Sequence, residues 1–594
     1  MQNPTEFYTL QSKKHKAEAK QLYKTLSLYS VLRLSVFIIT AVGVYTMINQ
    51  WKVALIIGLF GIGVFLFLLS KYTDLKAKRA LHKRLVKINK EELKIASGDF
   101  HQRADGNKYQ NPEHFYSLDI DLFGRGSFFQ YTNRTTINEG TNVLVKYLLA
   151  NDILDIEKRQ DAIKELSTLP EWRQLYSGIA QGVKVEHSAK SIITWLKNYK
   201  PFLNKTWYRI TIGFSLASVA IIALGILDTI PIQYIGYWLF LGLALTGKFL
   251  KQINVLSQNT EKAKDTFRQY ALLLAQIETQ NFESELLKEK QAKIQSENLK
   301  ASQIFLKFSK VLDALDNRNN LLSAIFGNGY FLWDIRQSYY VEQWITTYAN
   351  KVDHWFEVVT FFDAFNSLGN YAFNHQDFVY PEIVENKTTI SAKDLGHPLL
   401  NAEKRIDSDL ELNQEQFFIV TGANMAGKST FLRTVALHIV MANVGLPICA
   451  KESKYKPIKL ITSMRTTDSL TDDSSYFFSE LTRLKFVVDT IENDTNYFVI
   501  LDEILKGTNS TDKAIGSRKF VEKLVKLKAT GIIATHDLSL TEIASTGSAT
   551  ANSVKNYFFD AKIVNDELFF DYKLKPGICQ NMNASFLLKK MDIV

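Results

Sequence analysis

A chain of 594 residues, 46% hydrophobic and 22% charged, is long enough for several packed units and too apolar to be disordered. Its formal net charge of +10 suits an anionic partner (nucleic acid, nucleotide or acidic lipid) without choosing among them. Two cysteines, Cys449 and Cys579, are too few and too far apart for a zinc motif or a disulfide framework, and they fit a reducing, cytosol-facing compartment.

The N-terminus is polar and lysine-rich, and no small-residue cleavage site follows, so a cleaved signal is not expected. Two apolar segments come next, at about 26–48 and 53–70. The second, "VALIIGLFGIGVFLFLLS", carries no charge over 18 residues, close to what a bilayer crossing needs. The first has one charge, Arg33, near an end and able to snorkel toward headgroups. "INQWK" between them allows only a tight turn. A second apolar pair is predicted at about 210–227 and 229–247, with Asp228 and Pro231 marking its turn. Lysines and arginines flank both pairs, among them Lys13, Lys24, Lys71, Arg79, Lys205 and Lys248. By the positive-inside tendency, the soluble parts and both termini face the cytoplasm, and the chain is expected to be multi-pass in the cytoplasmic membrane. Neither pair contains the Asp, Glu or His of an ion path, which suggests anchoring, not transport. Two helical hairpins buried in a large soluble core are the alternative.

Between the pairs, residues 121–169 read as helix, turn, helix. From 252 to 317 the chain is rich in Lys, Glu, Gln, Leu and Ala, with no Pro or Gly, as long helices require. Aromatics from Tyr330 to Phe373 recur at helical spacing and read as core. The expected units are 1–100 (basic start and first apolar pair), 101–200 (helical core, first part), 201–250 (second pair), 251–395 (long-helix lever and second part of the core) and 396–594.

That last unit switches to short β-rich runs alternating with helices, the pattern of a parallel α/β sheet. "QFFIV" reads as a buried strand. It feeds Gly422-Ala423-Asn424-Met425-Ala426-Gly427-Lys428-Ser429-Thr430, a G-x-x-x-x-G-K-S/T phosphate loop followed by a helix. The glycines let backbone N–H groups turn toward phosphate, the helix N-terminus adds partial positive charge, Lys428 reaches the β- and γ-phosphates, and Ser429 ligates magnesium. A second apolar strand, "NYFVILDEI", ends in Asp502 and Glu503, which suit metal binding and polarisation of the attacking water. A third, "TGIIATHD", leads to His536, placed to sense the γ-phosphate. Ligands at strand ends fit binding at the carboxyl edge of an open sheet.

An Asp-Glu strand end with a later histidine resembles the ABC-type ATPases, which close each nucleotide with a partner's serine. The L-S-G-G-Q-like transport signature is absent, and "TDSLTDDSSYFFSELTRLK" stands in its place. The segment "TGANMAGKSTFLRTVALHIVMANVGLPICA" resembles the ATPase part of the MutS family of DNA mismatch-repair proteins. "LDEILKGTNSTDKAIG", "ATHDLSL", "DSSYFFSEL" and "GHPLL" are similar to that family's acidic strand, histidine switch, signature and domain entry. "FFDYKLKPG" resembles its closing strand. The resemblance implies Ser475 as the serine acting on the partner's nucleotide and Tyr572 as an adenine-stacking ring. It covers about the last 235 residues well and 119–169 more weakly. Departures are plain. No Phe-x-Glu mismatch-reading module is present, the second apolar pair interrupts the lever, 400–412 lacks the second adenine-contacting aromatic, and the signature is short, without its glycine.

The fold expected is therefore α plus α/β: two transmembrane helical hairpins, a helical core and lever, and a C-terminal ABC-like P-loop ATPase domain. The resemblance implies an ATPase using ATP and Mg2+ in a homodimer, coupled to DNA binding, and the two apolar pairs add a membrane anchor with lipid as a further partner. The alternative is a membrane-bound mechanical or scaffold ATPase that has lost DNA. ABC-type transport is disfavoured by the missing signature and the missing polar path.

Overall fold

A computed structural model describes residues 3–182, 189–295, 299–423, 425–465, 476–545, 553–564 and 567–579, and every statement below is confined to them. The chain is a mixed α/β protein with a long helical part followed by two sheets.

The chain opens with two very long antiparallel helices, α1 (Pro4–Thr46) and α2 (Trp51–Ala96). Asn3 caps α1 by accepting from the Thr5 and Glu6 N–H groups, and Pro4 occupies the first turn, where its missing N–H does no harm. The apolar segments read from the sequence are only the distal parts of these helices. The flanking stretches 5–25 and 71–96 contain no Gly or Pro, so nothing stops either helix. With 43 and 46 residues, the helices span about 65–70 Å, twice a bilayer's hydrocarbon thickness. Around their shared turn, large apolar side chains such as Phe37, Ile39, Trp51, Phe60 and Phe67 are exposed. The helices approach so closely there that a Cβ on Gly61 would fall 2.1 Å from Thr40 Oγ1. Arg33 does not reach outward: its guanidinium lies over the rings of Phe65 (5.4 Å) and Tyr72 (4.8 Å) on the facing helix.

The opposite, polar end of this stalk is clamped to the helical body. That body comprises α3 (Phe128–Thr132), α4 (Asn138–Leu149), α5 (Ile156–Ser167), α6 (Pro170–Ala180) and α7 (Ala189–Asn198). The second apolar pair follows as α8 (Lys205–Ile226) and α9 (Gln233–Gly247), joined through Asp228 at positive φ. Then come α10 (Leu250–Thr279), α11 (Glu285–Ala292), α12 (Ala301–Asp316), a short α13 (Asn328–Phe331) and the 42-residue α14 (Trp333–Asn374). Three helices, α1, α2 and α8, are long and apolar enough to cross a membrane, and a fourth span results if α9 and α10, bent by 68°, count as one.

The segment before α14 was not foreseen as an element. α13 lies against α8 and α9, and a π-helical turn at Ser323–Gly327 packs on α13, with Leu321, Leu322 and Phe326 exposed around it. A Cβ on Gly242 would sit 2.1 Å from Gly329 O, which is why small residues meet there. The aromatics of α14 are core, as their spacing suggested: Trp355, Phe356, Phe361, Phe362 and Phe365 are all buried.

The C-terminal part holds two sheets. The smaller has the order β1-β5-β2-β3, with β1 (Glu382–Ile383), β2 (Thr388–Leu395), β3 (Ser408–Asn413) and β5 (Glu452–Tyr455). It begins upstream of residue 396, the boundary drawn from sequence, because β2 pairs with both β3 and β5 across that point. The larger sheet has the order β10-β9-β4-β8-β7-β6. Its strands are β4 (Phe417–Gly422), β6 (Lys459–Ser463), β7 (Tyr497–Asp502), β8 (Thr530–Ala534), β9 (Val554–Val564) and β10 (Glu567–Pro576). All neighbours pair in parallel except β9 and β10. Alternate residues face opposite sides. Phe418, Val420, Phe498 and Ile500 join the core that includes α15 (Lys428–Val444) and the helical body, while Phe417, Ile419, Val499 and Leu501 pack against α16 (Tyr476–Asn493) and α17 (Ser510–Lys526). α15 lies between the sheet and the helical body, so it is buried on nearly all sides.

Candidate functional site

β4 is buried along its whole length and delivers the phosphate-loop sequence to the carboxyl edge of the sheet. The backbone turns back at Gly422 (φ 151°), Met425 (φ 67°) and Gly427 (φ 101°), and α15 starts at Lys428. Lys428 Nζ donates to the carbonyls of Gly422 (2.9 Å) and Ala423 (3.0 Å) of its own loop. Burial pulls its ammonium below the ordinary lysine range. Ser429 Oγ donates to Asp502 Oδ2 at 2.6 Å, joining the first turn of α15 to the end of β7. Burial pushes the Asp502 carboxyl up. Ala426 is buried, Met425 is exposed, and Asn424 lies outside the described residues.

Glu503 follows β7 with φ at 48°, a conformation uncommon for a side chain with a Cβ, and its N–H donates to Ala534 O of β8 at 2.9 Å. Strands β7 and β8 are neighbours, so Glu503 meets His536, which comes just past the end of β8: His536 Nε2 lies 2.9 Å from Glu503 Oε1. The same nitrogen lies 3.2 Å from Lys428 Nζ. One ring nitrogen cannot donate to Glu503 and accept from Lys428 at once. Lys428 already has two carbonyl acceptors, so the Nε2 proton belongs to Glu503. That hydrogen bond holds the Glu503 carboxyl down to about 2, against burial, with Lys506 at 3.8 Å adding to the effect.

Lys428, Ser429 and Glu503 border a cavity of about 400 Å³, within the range of small-molecule sites, and Asp502 and His536 stand behind them, bonded to Ser429 and Glu503. Its walls include Gly427, Lys428, Ser429, Thr430, Glu503 and Tyr572. Tyr572 sits where the β9–β10 register shifts, with φ at 51°, and its Cδ1 lies 3.1 Å from where a Cβ on Gly427 would be. Any side chain at Gly427 would therefore press on that ring. Of the residues singled out from sequence, all but two thus gather at or beside one edge. Asn424 and Ser475 fall outside the described residues.

Three groups carried no assigned role in the sequence. His397, from "GHPLL", lines the cavity, and burial together with Arg433 and Arg405 pulls its imidazole down to about 4, so it is neutral there. Lys404 and Arg405 bring positive charge to the same wall from the β2–β3 connection, where no motif flagged them. Glu480 on α16 is 3% exposed, and its carboxylate accepts from the N–H groups of Lys506 (3.2 Å) and Gly507 (3.4 Å). It ties the signature helix to the loop carrying Glu503. This glutamate stands in the stretch "DSSYFFSEL", five residues after Ser475, which was the available signal.

The donors fit a nucleotide with magnesium. Ser429 Oγ and Asp502 Oδ2 are hard oxygen ligands on adjoining elements, and the carbonyls now accepting from Lys428 are what phosphate oxygens would replace.

Comparison with known proteins agrees with this geometry. Residues 418–589 match the family described as MutS domain V. MutS protein homolog 4 of Homo sapiens is 33% identical over 219 residues, which is 35% of this chain and 22% of that protein. The DNA mismatch repair protein MutS of Methanococcoides burtonii is 29% identical over 242 residues, 39% of this chain and 26% of that protein. That of Thermodesulfovibrio yellowstonii is 30% identical over 246 residues, 39% and 28%. The chain thus spans about a quarter of the length of these curated relatives.

Proposed function

We propose, for a chain that belongs to the MutS family, that it is a membrane-anchored ATPase whose nucleotide-driven dimer acts on DNA near the membrane. The observation carrying the ATPase part is that Lys428, Ser429 and Glu503 line one cavity, with Asp502 bonded to Ser429 and His536 to Glu503 directly behind them. Gly422 to Thr430 cradle the phosphates, Lys428 turns from its loop carbonyls to phosphate oxygens, and Tyr572 stacks on the base. Ser429 and Asp502 hold magnesium, which when bound neutralises phosphate charge. Glu503, kept ionised by His536, orients the attacking water, and His536 stands where a change at the γ-phosphate reaches it through Lys428 and Glu503. Ser475 of one copy closes the site of the other.

Movement of the site is passed on through α15. Arg159 of α5 donates from Nη2 and Nε to Asn443 O near the C-terminal end of α15 (2.8 and 3.1 Å), and α5 packs on α14. The apolar tip of the stalk and the α8–α9 pair, exposed as they are, support a membrane on one side of this body.

A second reading keeps the engine and drops DNA. It is favoured by the placement of α8 and α9 between α7 and α10, where apolar helices occupy the lever region. Binding of full-length protein in lipid nanodiscs to duplex, mismatched, branched and single-stranded DNA separates the two. A salt-dependent affinity that changes with ATP is expected. No retention of any of these at low salt would leave the second reading. Flotation with liposomes after alkaline extraction checks the anchor independently, and release into the soluble fraction would sink it.

A further inference from the structure

The geometry points to a binding site for a divalent transition-metal ion of the zinc class, formed by His15, Glu18 and His82 in the stalk. His15 and Glu18 are three residues apart on α1 and so share a face, and His82 meets them from α2. His82 Nδ1 lies 3.1 Å from His15 Nδ1 and 3.0 Å from Glu18 Oε2, and all three donor atoms lie within 4.8 Å of one another. Tetrahedral zinc with bonds of about 2.1 Å places its ligand atoms about 3.4 Å apart. The donors thus already stand close to the separation an ion imposes.

Hydrogen bonding alone serves these groups poorly. His82 Nδ1 faces both partners, and in the neutral ring it carries one proton at most. If that proton goes to Glu18, the lone pair of His15 Nδ1 has no hydrogen left to accept; if it goes to His15, Glu18 loses its donor. A cation at the common point satisfies all three at once. Two imidazoles and a carboxylate select zinc, cobalt or nickel over magnesium and calcium, which prefer all-oxygen sets. With three protein ligands, the fourth position belongs to water. The side chains of His82 and Glu18 are 22% and 43% exposed, leaving room for that water and for entry of the ion.

The position gives such an ion a mechanical role. The site lies roughly 17 Å along α1 from the apolar segment that starts near Leu26. On the other side, the base of the stalk is held by Tyr8 and Glu92. One turn before His15, Gln11 donates to Glu171 of α6 at 2.5 Å, so the stapled stretch adjoins the helical body. An ion here prevents α1 and α2 from sliding past one another between tip and base.

The test is metal binding by the purified full chain, stripped with chelator and titrated with zinc, and with cobalt for its absorption spectrum. Excess magnesium saturates the oxygen donors of the nucleotide site. One equivalent of zinc per chain is expected, with a cobalt spectrum showing nitrogen ligation. His82→Ala weakens zinc binding at least 100-fold, Glu18→Gln weakens it about tenfold, and His82→Cys, which keeps a zinc ligand, retains it. Thermal stability rises with zinc in the parent and in His82→Cys, a readout that stands even if His82→Ala misfolds. Absence of zinc uptake at micromolar concentration would overturn the proposal. So would binding unchanged in the His15→Ala/His82→Ala double variant.

Discussion

Two clusters of charged side chains sit in largely apolar surroundings, one at the base of the stalk and one at the carboxyl edge of the six-stranded sheet. They differ in what holds their charges. At the base, Arg134 pairs with Glu92 at 2.5 Å and donates to Tyr131 O, while Asn374 donates back to Glu92 at 3.2 Å. Arg173 donates to Asn370 Oδ1 and Leu166 O, and Tyr8 donates to Asn374. Burial pushes the Glu92 carboxyl up, but Arg134 outweighs it and holds it below the ordinary range. These partners come from α1, α2, α3 and the turn after it, α5, α6 and α14, and leave a gap of only about 80 Å³. At the sheet edge, Lys428 bonds only to carbonyls of its own loop and borders a cavity of about 400 Å³. A buried charge matched by several helices fixes their arrangement. One that borrows backbone carbonyls beside open space is placed for a ligand.

Lys428→Ala breaks the contrast at its strongest point. Nucleotide binding is expected to be lost entirely, with thermal stability nearly unchanged, as equilibrium binding of a fluorescent ATP analogue and calorimetry can check. Parental affinity in this variant would remove the loop from the site. The matched cluster responds in the opposite way. Glu92→Leu leaves Arg134 buried without its partner and is expected to lower unfolding free energy by about 3–5 kcal/mol, with ATP affinity unaltered in the folded fraction. The double variant Glu92→Leu/Arg134→Leu is expected to lose less than either single change, because no charge is stranded. A double variant as unstable as the sum of the singles contradicts that account. Next in size, Glu503→Gln keeps the hydrogen-bonding shape and removes the charge. Hydrolysis is expected to fall about 100-fold with nucleotide still bound, and the proposed dimer is expected to accumulate in that form. Hydrolysis at the parental rate would release Glu503 from its role.

The same contrast explains what could be read from sequence. The candidate site at the sheet edge was legible as a cluster because its residues are local: a loop of nine residues and two strand ends that adjoin in the sheet. The base of the stalk was not. Glu92, Arg134, Arg173 and Asn370 are far apart in the chain and carry no motif, so only the packed helices bring them together. The apolar segments were visible through hydropathy, yet their continuation as one rigid stalk was not, since lysine-rich helix and lysine-rich loop differ little in composition. The element at Ser323–Gly327 was missed because a single π-helical turn has no period to detect. Arg33 was misjudged for a related reason. Snorkelling is a property of an isolated helix, and the rings that receive this guanidinium lie on the next one.

The smallest expected effect concerns pH and sharpens the contrast within the site itself, where two adjacent carboxyls are displaced in opposite directions. Asp502 is pushed up by burial, so the folded chain holds its proton more tightly than the unfolded chain, and its contribution to stability falls as pH rises through the folded value. Glu503 is held down to about 2 by the His536 hydrogen bond, so its contribution is complete above the unfolded value of 4.5 and is lost as pH falls toward 2. The two slopes have opposite signs: stability gained through Glu503 as pH rises from about 2 to 4.5 is followed by a loss through Asp502 above its unfolded value. The consequence for catalysis is larger than that for folding. With its carboxyl held near 2, Glu503 is expected to impose no acid limb on hydrolysis above about pH 4. His536→Ala removes the donor and should let the Glu503 carboxyl return toward 4.5. Residual hydrolysis in that variant then acquires an acid limb displaced upward from the parental one. Rates measured from about pH 4 to 8 in both proteins decide it, and superimposable limbs would mean that something other than His536 keeps Glu503 charged.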